Sequence, residues 1–264
     1  MLPRLVLIKG AGDLASGVAH RLWFSGFRVV MLELPAPLVV RTTVSFASAV
    51  YEGSIEVESL TAKLCPGPEE AACCLSDDII PVIVDPDAKS IDFLKPEVII
   101  DAIMAKGNRL TKITDAQLVI GLGPGFTAGL DCSAVIETKR GHNLGKVIHS
   151  GSAADDTAEP GLIGGYGIER LLRAPAGGTF KPLKSIGETV KSGEAVAMVN
   201  DVPIRTQISG LIRGMLYPNL EIKAGTKVGD IDPRGKEVDY LTISDKARAI
   251  GGGVLEAILY RYNR

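Results

Sequence analysis

The stretch VLIKGAGDLASGVAHRL, residues 6–22, sets an apolar run before a glycine turn and a helical pattern after it. Leu5 to Ile8 is continuously apolar and rich in branched side chains, the pattern of a strand covered on both faces. From Leu14, apolar residues recur at Val18 and Leu22 until Gly26 ends the helix. Gly10-Ala11-Gly12-Asp13-Leu14-Ala15 therefore matches G-x-G-x-x-G/A in the strand–turn–helix context that gives this motif meaning. Gly10 allows the tight turn, Gly12 lets backbone approach a pyrophosphate, and Leu14 and Ala15 open a helix packed closely on the strand. The helix start favours an anion by about 0.3–1 kcal/mol when exposed.

Arg28 to Leu32 reads as the second strand, and Glu33 follows it, 21 residues after Gly12. That spacing suits a carboxylate on ribose hydroxyls and favours NAD over NADP. Asp13 acts against this, because a carboxylate beside the second glycine repels a phosphate; it could instead cap the helix. Two readings stay open for the loop: a site for NAD(P) or another nucleotide-like cofactor, or a structural corner.

Further apolar runs at residues 79–84, 98–100 and 118–120 alternate with helical patterns, which implies a parallel sheet with right-handed crossovers. Pro81 makes the first of these less secure. A second glycine loop, GLGPGFTAGLDC (121–132), places Gly121, Gly123 and Gly125 at alternate positions after a strand. In an open α/β sheet, ligands sit outside the carboxyl ends of the strands, where both loops and Asp101 converge. Cys132 and Asp131 are the catalytic candidates beside this loop, and Cys132 suits a nucleophile, a soft-metal ligand, a sulfur carrier or a small buried hydrophobe. His142 and His149 lack zinc-site spacing, so no metal is expected. There is no G-x-S-x-G elbow and no phosphate-binding G-x-x-x-x-G-K-[ST] loop.

The 264 residues are 46% hydrophobic and 23% charged, with a formal charge of −2. This is a soluble, globular composition, without the basic stripe of a nucleic-acid binder. No run reaches the roughly 18 apolar residues of a membrane helix. The opening run is too short for a signal peptide, and four cysteines do not make a disulfide framework in a chain of this size. A reducing cytoplasm is the expected setting.

Near Gly151 the composition turns to Gly, Ala, Asp and Pro, and residues 151–173 read as a connection after a first domain of residues 1–150. Residues 177–199 then repeat as 209–231 at an offset of 32, matching Gly178 with Gly210, Lys191 with Lys223, Gly193 with Gly225 and Val196 with Val228. The repeat resembles the two half-motifs of biotinyl/lipoyl carrier domains and implies a barrel-sandwich module over residues 174–232. Its junction, MVNDVPIRTQ, has no lysine for a swinging arm, so neither biotin nor lipoate is expected. In residues 233–264, Ser244 is placed to cap a helix that packs back on the first domain. Gly251 to Gly253 imply a break in that helix or a close approach to another backbone or a ligand.

GAGDLASGVAHRL, RTTVSFASAVYEG, GLGPGFTAGLDCSAVIETKRGHNLGKVI, GGYGIERLLRAPAGG and ISDKARAIGGGVLEAIL together resemble the accessory proteins of the selenium-dependent molybdenum hydroxylase system. The first half is similar to the Rossmann-like domain of xanthine dehydrogenase accessory factors. The resemblance implies an α/β fold with a Rossmann-like parallel sheet domain and a small all-β domain. It also implies a maturation role, a molybdopterin-type cofactor, a client hydroxylase as partner, and Cys132 as a thiol for sulfur or selenium delivery. The other readings are a nicotinamide-dependent oxidoreductase and a non-enzymatic scaffold. Whether the protein catalyses a reaction or forms a homo-oligomer is left open by the sequence.

Overall fold

A computed structural model of the chain describes residues 5–75, 78–105, 107–108, 111–156 and 160–263. The first four residues of the opening run, and residues 157–159 of the expected connection, lie outside the described residues. The chain divides into two compact units. Unit 1 comprises Met1–Pro37, Ser45–Thr157 and Ile243–Arg264; unit 2 comprises Leu38–Val44 and Ala158–Thr242.

Unit 1 begins with β1 (Leu5–Lys9), α1 (Asp13–Trp23) and β2 (Arg28–Glu33). A short α2 (Ala49–Glu52) precedes the hairpin of β3 (Ser54–Val57) and β4 (Leu60–Cys65), and then come α3 (Pro68–Cys74) and β5 (Ile80–Val84). α4 (Ser90–Leu94), β6 (Val98–Asp101) and β7 (Leu118–Leu122) follow. The short strands β8 (Thr127–Ala128), β9 (Ala134–Ile136), β10 (Val147–Ile148) and β11 (Gly151–Ser152) come next. β8 and β11 form a separate ribbon.

The remaining nine strands make one sheet in the order β10-β9-β7-β6-β1-β2-β5-β4-β3. Its block from β9 to β4 is parallel, with antiparallel β10 and β3 at the edges. Val6, Leu7, Ile8, Ile99, Ile100, Val119 and Ile120 are wholly buried, as continuous apolar runs in a two-sided sheet should be. Pro81 is accommodated because pairing of β5 with β2 begins only at Val82, so the missing N–H costs no bond on that side.

The last helix, α5 (Asp245–Tyr262), belongs to unit 1 and is unbroken. Ser244 caps it, its side chain accepting the Ala247 N–H at 3.2 Å. The glycine triplet has two explanations. A Cβ on Gly253 would collide with the Gly145 carbonyl, and one on Gly251 would lie 3.0 Å from both Arg21 Cβ and the Gly17 carbonyl, whereas Gly252 faces open space. Close approach, rather than a break, accounts for two of the three.

Unit 2 contains β12 (Leu171–Arg173), β13 (Gly178–Pro182), β14 (Thr189–Val190) and β15 (Ala195–Val199), followed by β16 (Val202–Arg205), β17 (Gly210–Met215), β18 (Glu221–Ile222) and β19 (Lys227–Asp232). They form two four-stranded antiparallel sheets, β12-β19-β17-β14 and β16-β15-β13-β18. The sequence repeat is also a pairing repeat. Gly178 pairs with Ile222 and Thr179 with Glu221, while Gly210 pairs with Val190 and Leu211 with Thr189. Each half thus lends its middle strand to the sheet of the other. The copy extends upstream: Gly193 N–H donates to Thr206 O and Gly225 N–H to Ala174 O, both at 2.8 Å. The whole is a mixed α/β chain with one large, mostly parallel sheet and smaller antiparallel sheets. Among the described residues, no helix is long and apolar enough to cross a membrane.

Candidate functional site

In unit 1 the chain passes from β1 to β2 on one side and later crosses from β5 to β6 on the other side of β1. Such a switch point opens a crevice at the carboxyl ends of the strands. Lys9 and Asp101 stand there in register. Asp101 is 2% exposed; its Oδ2 accepts the Thr111 hydroxyl at 2.6 Å and its Oδ1 the Ile103 N–H at 3.1 Å. Lys9 Nζ donates to the same Thr111 oxygen at 2.9 Å and lies 3.5 Å from Asp115 Oδ2. Burial pushes the Asp101 carboxyl above the ordinary carboxylate range, while these hydrogen bonds and the Lys9 charge pull it back. The cluster braces the carboxyl ends of β1 and β6 and leaves Asp101 inaccessible to a ligand.

The first glycine loop is held from both sides. Gly10 sits at φ +91°, and a Cβ there would press on the Ala102 carbonyl at 3.1 Å. Ala11 O accepts the Ala47 N–H at 2.8 Å, and Ser16 Oγ, 3.2 Å from Ala11 O, accepts the Phe46 N–H at 2.8 Å. Glu33 turns onto the loop: Oε1 accepts the Ala11 N–H at 3.0 Å and Oε2 the Leu34 N–H at 2.6 Å. Burial raises its carboxyl despite these two bonds. Gly12 is the N-cap of α1 with no side-chain cap, so Asp13 is the first helical residue and does not cap. Leu14 is half-buried and Ala15 buried against the sheet side.

The second loop is shaped by its own side chains. Phe126 folds over Gly121, Thr138 Oγ1 occupies the space beside Gly123, and a Cβ on Gly125 would lie 2.9 Å from Gly107 Cα. Gly123 and Gly125 have φ of +74° and +101°, so both the backbone and its neighbours require glycine there. Asp131 Oδ2 accepts the Thr127 N–H at 2.8 Å and closes the following turn. Cys132 is fully buried in a core with Val119, Phe126 and Val135. Burial pushes its thiol up to about 11. Of the chemistries weighed for Cys132, the small buried hydrophobe is the one its surroundings fit, since a reactive thiolate needs access and a depressed pKa.

One residue missed by sequence reasoning completes the edge. Gly17 of α1 packs against Ala247 of α5, which brings Lys246 beside the start of α1. Lys246 is half-buried and faces Asp13, Glu137, Asp156 and Arg140. Burial lowers its ammonium from the ordinary lysine range, and the carboxylates only partly restore it. No hydrogen bond or ion pair within 4 Å closes on its Nζ among the described residues. Glu137 is engaged by the Lys139 and Ala154 N–H groups at 2.7 and 2.8 Å. The sequence hint was Gly251 and Gly253, seven and nine residues after the Ser244 cap, which mark close packing of the helix without naming its partner.

No family model matches the chain. It is 50% identical over 256 residues to the uncharacterized protein YqeB of Escherichia coli (strain K12), covering 97% of this chain and 47% of that protein. The chain thus spans about half the length of the curated relative it matches. Among solved structures it is similar to an aspartoacylase family protein from Mesorhizobium loti (9% identity, 88% of this chain and 85% of that one, TM-score 0.27). A succinylglutamate desuccinylase/aspartoacylase from Rhodobacter sphaeroides follows (10% identity, 87% and 86%, TM-score 0.24). A succinylglutamate desuccinylase from Silicibacter sp. TM1040 is similar at 13% identity (87% and 85%, TM-score 0.25). At these scores their chemistry does not transfer to this chain. The expected identification is corrected on this point. The structures named above are described as aspartoacylase or succinylglutamate desuccinylase proteins and the relative as uncharacterized; none of them is described as a molybdenum hydroxylase accessory protein or a xanthine dehydrogenase accessory factor. The maturation role drawn from that resemblance and the Rossmann nucleotide-binding role read from the first glycine loop are withdrawn.

Proposed function

We propose that unit 1 binds a small molecule through an anionic group, a phosphate or a carboxylate, at the carboxyl edge of its parallel sheet. The observation that carries this reading is Lys246, a desolvated cation without a direct partner among the described residues, beside the uncapped first turn of α1. An anion there would accept N–H groups from the helix start and bring a charge partner to the ammonium. Asp13 and Glu137 make the edge selective, because they disfavour a large polyanion and suit a ligand with one anionic group and a neighbouring donor. We read unit 2, from its repeat and exchanged strands, as a barrel-sandwich module; with no lysine at its hairpin it has no carrier arm.

Calorimetric titration with inorganic phosphate, and with pyrophosphate and citrate as the polyanions that should bind more weakly, tests the anion site. NAD(P) and a molybdopterin-type cofactor, the ligands expected from the sequence, serve as further probes of the same anion subsite. Saturable binding by at least one of them, weakened about tenfold or more in Lys246→Met, is the expected result; one lost charge-assisted hydrogen bond is worth roughly that much. Binding unchanged in the variant, or none in the wild type, overturns the reading. Lys246→Met should also raise the melting temperature slightly, since it removes a desolvated charge and keeps the packed stem.

A further inference from the structure

Away from this site, two nucleophilic side chains lie in contact. Cys65 ends β4 and Cys74 ends α3, and their sulfurs are 3.5 Å apart. Cys65 is buried, Cys74 is half-buried and Cys73 is exposed. A contact of that length needs only a small side-chain rotation to reach the roughly 2.05 Å of a disulfide. Cys73 points about 100° around the helix from Cys74, and adjacent residues of one helix are poorly placed to bridge each other. We propose that Cys65 and Cys74 are a redox modification site that forms a reversible disulfide pinning the carboxyl end of β4 to α3. β4 belongs to the parallel block, so the bond would form on the same sheet edge as the anion site. The order β1-β2-β5-β4 sets it three strands away, or about 14 Å.

A low-molecular-weight disulfide supplies the oxidant. The Cys74 thiolate attacks one of its sulfurs, forming a mixed disulfide and releasing one thiolate. Cys65 then loses its proton to solvent base and attacks Cys74 Sγ, expelling the second thiolate. Two protein thiols and one small disulfide become one protein disulfide and two small thiols. Burial, with Cys74 and Glu70 beside it and Lys63 opposing, pushes the Cys65 thiol up to about 12. The closing step is therefore slow at neutral pH and quickens as pH rises.

The test treats the full chain with oxidised glutathione at mildly alkaline pH, alkylates the remaining thiols in denaturant and maps the peptides. A linked peptide joining Cys65 to Cys74, with Cys132 still alkylated, is expected, and Cys73→Ser should leave that link intact. In Cys74→Ser, Cys65 should stay free; in Cys65→Ser, Cys74 should stop as the glutathione adduct. Recovery of Cys65 as a free thiol from the wild type, or an equal yield of the link from chain oxidised in denaturant, overturns the proposal. Because Cys73→Ser and Cys74→Ser alter exposed or half-buried positions, the test survives misfolding of the Cys65 variant.

Discussion

The Glu33 carboxylate accepts the N–H groups of Ala11 and Leu34, so one side chain ties the first glycine loop to the end of β2. Glu33→Ala leaves the Ala11 N–H without its acceptor and should cost about 1–3 kcal/mol in chemical unfolding. The pH dependence has a definite sign. Burial raises the carboxyl in the folded chain, so the native state holds this proton more tightly than the unfolded state does. Its contribution to stability is full below the ordinary value of 4.5 and is lost as pH rises through the higher folded value. Wild-type stability relative to Glu33→Gln, which does not titrate, should therefore fall as pH climbs from the mid-fours; a flat difference refutes the assignment. Glycine spacing placed Glu33 correctly at the end of a strand, but spacing carries no information about which way a carboxylate turns. Lys246 was illegible for another reason, because it comes from the far end of the chain and only the packing of α5 on α1 brings it to the edge.

In α5 the three adjacent glycines separate intrinsic helix propensity from packing. Gly252 faces open space, so Gly252→Ala should stabilise the protein by about 0.5–1 kcal/mol, the propensity gain alone. Gly253→Ala drives a methyl group into the Gly145 carbonyl and should destabilise by about 1–3 kcal/mol, the range for overpacking. Thermal melts of the two variants should therefore shift in opposite directions, and equal shifts would refute the close-approach explanation. The same physics decides which elements could be read from sequence. Strands buried on both faces, such as β1, β2, β6 and β7, leave uninterrupted apolar runs. β3 mixes exposed and buried positions, β9 is three residues long and β10 two, so their pairing rests on neighbours distant in sequence. β4 was hidden by Lys63 and by a buried–exposed pattern that is not strictly alternating.

Unit 1 closes only when three separate stretches of chain meet, and its last stretch, Ile243–Arg264, supplies the helix that covers α1. No change of composition marks residues 38–44 as belonging with 158–242, because seven residues carry too little periodicity to declare a partner. The repeat in unit 2 was legible because it is written twice: an offset of 32 predicts which strands must correspond, and the hydrogen bonds obey it. For unit 1 the discontinuity has a measurable consequence. Ile250, Val254 and Ile258 are wholly buried in α5, and burying each contributes about 1.5–3 kcal/mol. Their sum, roughly 5–9 kcal/mol, is comparable to the whole stability of an ordinary domain, about 5–15 kcal/mol. A chain ending at Thr242 should therefore lose cooperative melting in unit 1 and expose the Gly17 face of α1, seen as increased binding of a hydrophobic dye. Co-expression of residues 243–264 as a separate peptide should restore the transition, because the lost contacts are side-chain packing and not chain connectivity. An unchanged melting midpoint in the truncated chain would show that α5 is peripheral to unit 1, and would remove Lys246 from the anion site along with it.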